Sequence, residues 1–239
     1  MAWDYILQGL FEAFKLIFSG DPELYDILLR SIKVSGLATL YAGLIGVPTG
    51  VVIGLSDFKG KEIVKSIFNG LMGIPTVVLG LILYLFLAPA GPLGFLNLLY
   101  TTTGISLGQM VLILPIVVSI TVNSIESVEE DIKYLALTLG ADESQMMVKI
   151  IEEASPGILL SLITAFNRAI AELGVALMIG GNIFIKGGEM NTRVLTTAIQ
   201  MYVTRGEISM AIALGIILLS LVYLISMVVN YIQKRWIEV

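Results

Sequence analysis

The chain has no cysteine and no histidine among its 239 residues. That excludes disulfides, thiolate nucleophiles, Ser-His-Asp chemistry and the usual zinc sites. Charge is scarce as well: Asp, Glu, Lys and Arg make up 14% of the chain, against about a quarter in an ordinary soluble domain. From Ser66 through Ile125 there is none at all. The net charge of −5 argues against a nucleic-acid partner, which would require clustered Lys and Arg. A phosphate-binding loop is also missing. The nearest imitation, Gly54 to Lys61, has one residue too many between its glycines and continues with Glu62 instead of Ser or Thr. The start, Met1-Ala-Trp-Asp-Tyr5, lacks the basic region of a signal peptide, so the first spanning helix is expected to act as its own insertion signal. These absences predict a chain that is not an enzyme by itself, with no metal site and no cofactor of its own.

What is present is apolar. Hydrophobic residues make up 56% of the chain and the mean hydropathy is +0.92. Backbone groups in lipid must be satisfied internally, and about twenty apolar residues in helix suffice to cross. Five runs meet that length: Val34–Leu55, Ile67–Leu87, Ile105–Val122, Ile158–Gly180 and Ser209–Ile232. The expected fold is therefore all-α and integral to a membrane, with about five spanning helices. Ahead of them, Tyr5 to Phe18 carries apolar residues at helical spacing interrupted by Gln8, Glu12 and Lys15, the pattern of a helix lying in the interface. Residues 1–24 are read as that interfacial segment and 25–239 as one membrane domain. Lys59, Lys61 and Lys65 in a short loop, and Lys234 and Arg235 near the C-terminus, place both regions in the cytoplasm. The N-terminus then lies outside, although Lys186, Arg193 and Arg205 on the outer side weaken the bias.

Three features stand out against the apolar background. Gly46, Gly50 and Gly54 recur every fourth residue and make a smooth face for close helix packing, unless they only reflect the general frequency of Gly in membrane helices. Pro48, Pro75 and Pro115 each remove a backbone bond in or beside a span, which suits bent helices around a cavity and equally suits ordinary kinks. Arg168 and Glu172 lie inside the fourth run, where each charge alone costs about 2.5–3.5 kcal/mol. A self-neutralising pair is one outcome. Arg N-terminal to Glu is the weaker order on a helix, so partners on other helices or a wet cavity are expected. Further on, Asn182, Arg193, Thr196 and Thr197 follow glycines at the outer boundary. An anion entering there would meet their donors, although residue types alone favour a polar loop with a short surface helix.

The charged island Glu126–Glu153 holds eight acids and two lysines around a helical pattern, Leu135 to Ile151. A structured loop of this length kept outside lipid implies a docked partner. Anchored on Gly140, it resembles the cytoplasmic loop of ABC-importer permeases, with Ala136 and Ile150 in register; Tyr134, Leu135, Glu152 and Glu153 depart from the pattern. Phe166-Asn167-Arg168-Ala-Ile-Ala-Glu172-Leu-Gly174, followed by Gly180-Gly181-Asn182, resembles the signature of sulfate, molybdate and tungstate permeases. Leu71 to Gly80, which includes Thr76, and Thr192 to Ile199, Thr204 to Glu207 and Ala211 to Gly215 are similar to the tungstate-specific group in particular.

The resemblance implies a type I ABC-importer transmembrane domain in the cytoplasmic membrane. It works as two copies, with two ATP-binding subunits that hold ATP and Mg below and an extracytoplasmic oxyanion-binding protein above. It also implies a coupling loop at 126–153, with Thr138, Leu139, Gly140, Ala141, Asp142, Glu143 and Met146 engaging the ATPase. Asn167, Arg168, Glu172, Gly181, Asn182, Thr76, Arg193, Thr196 and Thr197 would then belong to the translocation path or to a structural network beside it. Molybdate or sulfate transport is the alternative within the class. An ATP-independent carrier using Arg168 and Glu172 is the alternative outside it, and the inner loop separates the two, because a carrier has no use for it.

Overall fold

The computed structural model describes residues 2–128, 132, 135, 138–184 and 191–237. Among them are nine α-helices, one 3-10 turn and no strand beyond an isolated bridge between Phe184 and Asn191. Several residues of the sequence reading, including Glu129 and Lys133 of the island, Tyr134, Ala136 and Lys186, lie outside the described residues, as do the side chains of Lys234 and Arg235.

The helix ends follow from local chemistry. α1, Ala2–Ser19, stops at Gly20, whose φ of 72° leaves the right-handed region. The Asp21 carboxylate then accepts from the Leu24 N–H at 3.0 Å, and Pro22 opens α2, Pro22–Leu55. At 34 residues and 1.5 Å each, α2 is about 51 Å long and outreaches a hydrocarbon core of about 30 Å. α3, Lys61–Leu71, and α4, Thr76–Leu87, follow. Thr101 caps α5, Thr102–Glu126, through the Gly104 N–H. α6, Glu143–Ile170, carries a capping box in which the Asp142 side chain takes the Gln145 N–H and the Gln145 side chain takes the Asp142 N–H. α7, Gly174–Gly180, α8, Leu195–Arg205, and α9, Ile208–Ile237, complete the order.

Three helices are long and apolar enough to cross unaided: Pro22–Leu55, Thr102–Glu126 and the Ile208–Val228 part of α9. The other two expected spans are each broken. α3 and α4 meet at 96°, and α6 and α7 at 60°. The first break follows from Gly73-Ile-Pro75, since proline disfavours helix at the residue before it. Pro48 and Pro115, by contrast, sit inside continuous helices. α1 packs on the first turns of α9: the Cα hydrogen of Gly9 faces Ile212, and Ala13, Leu16 and Ile17 join a core with Ala211, Leu214 and Leu218.

α2 and α5 run parallel, because Gly46 faces Val117, Gly50 faces Thr121 and Gly54 faces Ile125 in rising order along both. A Cβ at Gly50 would stand 2.6 Å from the Thr121 Cβ and 3.0 Å from the Val118 carbonyl oxygen. The small-residue face thus lets two backbones meet. At one end of this pair Glu126 binds Lys61 at 3.1 Å and Lys65 at 2.8 Å, so the α2–α3 loop and the charged island share one end of the bundle. The start of α2 and residues 191–193 share the other, through Arg193 and Glu23.

Gly50→Leu is expected to destabilise the α2/α5 pair by about 1–3 kcal/mol through overpacking. Gly36→Ala, where a Cβ meets nothing within 4 Å, is expected to be neutral. Thermal unfolding of the purified chain in detergent checks both, and equal midpoints for the two variants would contradict the packing.

Candidate functional site

The two breaks meet. A Cβ on Gly174 would lie 2.8 Å from the Thr76 Oγ1 and 3.0 Å from the Val77 nitrogen, and one on Gly80 would lie 3.1 Å from the Met178 Cβ. α4 and α7 therefore run side by side and parallel, with their N-termini together. Phe68, near the end of α3, packs with Val118 and Leu114 of α5. Those residues are eight and twelve positions from Glu126, or about 12–18 Å from the end of the helix. The two breaks thus stand side by side within the bundle, beyond Phe68 as seen from Glu126, and the α6–α7 break lies beside Gln109.

Glu172 sits at the second break and is 2% exposed. One carboxylate oxygen accepts from Arg168 at 2.7 Å, the other from the Val175 N–H at 3.3 Å, and its main-chain carbonyl accepts from the Thr196 hydroxyl at 2.7 Å. Its side chain caps α7 and receives the Arg168 charge at once. Of the two expectations, partners on other helices or a wet cavity, the first is corrected for the side-chain pair, since Arg168 and Glu172 neutralise each other. The helix ends at Ile170, so the two are not held on one regular helix, and the order preference for such pairs does not apply. The Arg168 side chain is 39% exposed, so the pair has one face open.

The outer residues form a separate knot. Arg193 is 8% exposed, donates to Glu23 at 3.0 Å and lies 4.4 Å from the centre of the Phe184 ring, while its Nε is buried without a partner. Its carbonyl accepts from Arg30, and Leu195 N–H donates to the Ser31 hydroxyl. Burial, and then the 2.6 Å hydrogen bond to Glu23, push the Tyr202 phenol well above its ordinary range. Thr197 accepts from the Val194 N–H at the start of α8. Gly181 and Asn182 both have positive φ, 65° and 51°, and the turn lets the Tyr100 ring approach Gly181 where a Cβ would lie 2.8 Å from it. Asn182 Oδ1 is buried and unpaired. Asn167 donates to Ser226 on α9 at 3.0 Å, leaving its own oxygen unpaired. Thus Thr76, Glu172 and Thr196 gather at the breaks, Arg193 ties the start of α8 to α2, Thr197 caps α8 itself, and Asn167 faces α9.

Gln109 was not among the expected site residues. It is 1% exposed, donates to the Ala169 carbonyl at 3.0 Å and accepts from Ser35 at 3.2 Å, joining α2, α5 and α6 just before the second break. The signal available was its amide, the lone Gln in the charge-free stretch. Glu23 and Tyr202 were also missed, because nothing in sequence spacing links residues so far apart.

At the opposite end the island presents a handle. Gly140 takes a φ of 85°, which ends the turn before the Asp142 cap. Leu139 is 79% exposed, and Leu135, Thr138 and Glu143 are exposed as well. Leu135, Leu139, Gly140, Ala141 and Gln145 edge a groove of about 370 Å³. Met146 turns inward onto Ile125, Ile150 and Ala154 and fastens the handle to the bundle. The Ser144 hydroxyl, then the Gln145 N–H, hold the Asp142 carboxyl below its usual range. The cap is therefore complete above the unfolded value of about 3.9 and lost only as pH falls through the lower folded one. Among the described residues no group of three or more His, Cys, Asp or Glu could hold a metal ion.

Comparison with known proteins matches this architecture. Residues 46–238 match the family described as binding-protein-dependent transport system inner membrane component. The chain is 36% identical, over 97% of its length and all of the relative's, to the tungstate uptake system permease protein TupB of Peptoclostridium acidaminophilum. It is 39% identical, over 83% of its length and 86% of the relative's, to a probable anion ABC transporter permease protein of Haloferax volcanii. In three dimensions it superposes on a chain of the inward-facing MetNI methionine ABC transporter with a TM-score of 0.70 and 18% identity, covering 89% of this chain and 95% of that one. Bent spans, a multi-pass helical bundle and the family match converge: this chain is a membrane-spanning permease subunit, not an enzyme, and belongs to the binding-protein-dependent transport system inner membrane components.

Proposed function

We infer that this chain is the permease of an ATP-driven tungstate importer, acting as a homodimer with a separate ATPase and an extracytoplasmic binding protein. The observation that carries the substrate is the full-length match to a protein named as a tungstate uptake permease. The island is its cytoplasmic coupling loop, so the N-terminus faces outward, with α1 at the interface, and the C-terminus faces the cytoplasm of the cell membrane. Leu135 and Leu139 are exposed beside an open groove, and an apolar surface of this kind on a polar loop suits a docked protein.

Support for two copies comes from the first break. Leu71, Met72, Gly73, Pro75 and Val77 are exposed in a single chain, and no side chain caps α4. Irregular backbone at membrane depth is tolerated only where protein covers it or water lines it. A second copy around a watered path satisfies that condition. In this arrangement Thr76, Arg168 and Glu172 border the path, Asn167 and Thr196 brace the helices behind it, and Gly181, Asn182, Arg193 and Thr197 hold the outer frame.

The substrate is tested by uptake into proteoliposomes that contain the permease, its ATPase and its binding protein. ATP-dependent tungstate accumulation is expected, and a preference for sulfate, or transport without ATP, would overturn the assignment. Leu139→Asp is expected to cut ATPase co-purification at least tenfold while the permease still folds; undiminished retention would remove the coupling role. Arg168→Ala leaves a buried carboxylate unpaired at a cost of about 1–3 kcal/mol, discounted because Arg168 is partly exposed. Replacing both partners, Arg168→Met with Glu172→Gln, is expected to restore most of that stability while uptake stays low. Normal uptake by the double variant would confine the pair to a structural role.

A further inference from the structure

At the end of the bundle opposite the handle, α2 and α5 enclose a groove of about 420 Å³. Arg30 and Lys33 contribute from α2, and Thr102 and Thr103 from the start of α5. Val34 and Leu37 line the same groove deeper in the bundle. Lys33 stands immediately before the apolar run Val34–Leu55, at the level where hydrocarbon gives way to headgroups. Its ammonium makes no ion pair or hydrogen bond with the described residues, and neither hydroxyl of the two threonines does so as a donor.

Among the described residues, the charged side chains lining this groove are Asp26, Arg30 and Lys33. Arg30 pairs with Asp26 and donates to the Arg193 carbonyl at 3.1 Å. The Asp26 carboxylate also accepts from Asn191. Two cations and one carboxylate leave one net positive charge. A phosphodiester carries one negative charge, and its acyl chains would continue over the half-buried Leu37 into the bilayer. A doubly charged free oxyanion has no use for that apolar continuation. Basic side chains at a bilayer boundary attract anionic headgroups.

We propose that this groove binds the phosphodiester of an anionic phospholipid, with Lys33 as its main counter-charge and Thr102 and Thr103 as hydroxyl donors. The site is independent of which oxyanion the permease carries. The test measures thermal unfolding of the full chain in detergent with added phosphatidylglycerol or phosphatidylcholine of matched acyl chains. Wild type is expected to gain more from phosphatidylglycerol. Lys33→Gln should lose at least half of that excess with an unchanged lipid-free midpoint, while Lys33→Arg and the α1 variant Lys15→Gln should keep it. Millimolar sodium tungstate or phosphate should neither reproduce nor displace the effect. Equal shifts for the two lipids, full retention in Lys33→Gln, or displacement by free tungstate would each overturn the lipid site.

Discussion

Everything in this bundle is arranged around the cost of leaving a peptide group unpaired in lipid. Continuous helices meet the constraint by themselves, and α2 and α5 do so with glycine-to-side-chain contacts that bring their backbones together. The broken spans cannot. At one break the structure supplies Glu172, whose carboxylate caps α7 while its carbonyl takes the Thr196 hydroxyl. Arg168 then neutralises the charge that the cap introduces. The motif of an arginine and a glutamate four residues apart is thus a device for ending one helix and starting another inside the membrane.

The polar residues divide the molecule into working regions. Gln109 fastens α6 to α5 and, through Ser35, to α2 just before the bend. The Arg193, Glu23 and Tyr202 knot holds α8 against the start of α2. The Glu126, Lys61 and Lys65 cluster ties the start of α3 to the end of α5. Each is a fixed point, and the two bends lie between fixed points.

Much of the fold could be read from the chain before any coordinates. Apolar run length located the three continuous spanning helices and the two bent helix pairs, because that length is imposed by the bilayer and not by tertiary detail. The glycine spacing at Gly46, Gly50 and Gly54 pointed to the right face. The Pro75 signal was present, yet the same proline chemistry at Pro48 and Pro115 left continuous helices, so the bend angle could not be foreseen. The interruption at Ala171–Leu173 carried no proline signal, and one of the contacts that satisfies it, the Thr196 hydroxyl on the Glu172 carbonyl, comes from twenty-four residues away. Arg168 and Glu172 were legible as anomalies because charge in lipid is costly, whereas their mutual pairing depended on the break itself. Gln109 was hidden by its neutrality.

α6 runs without interruption from the Asp142 cap to Ile170, 28 residues or about 42 Å. Its first turns carry the exposed handle and its last turn carries Arg168. Such a rod is a potential lever: a tilt of about ten degrees about one end sweeps the other through about 7 Å. Whatever moves the start of α6 is therefore carried to Arg168 within one helix.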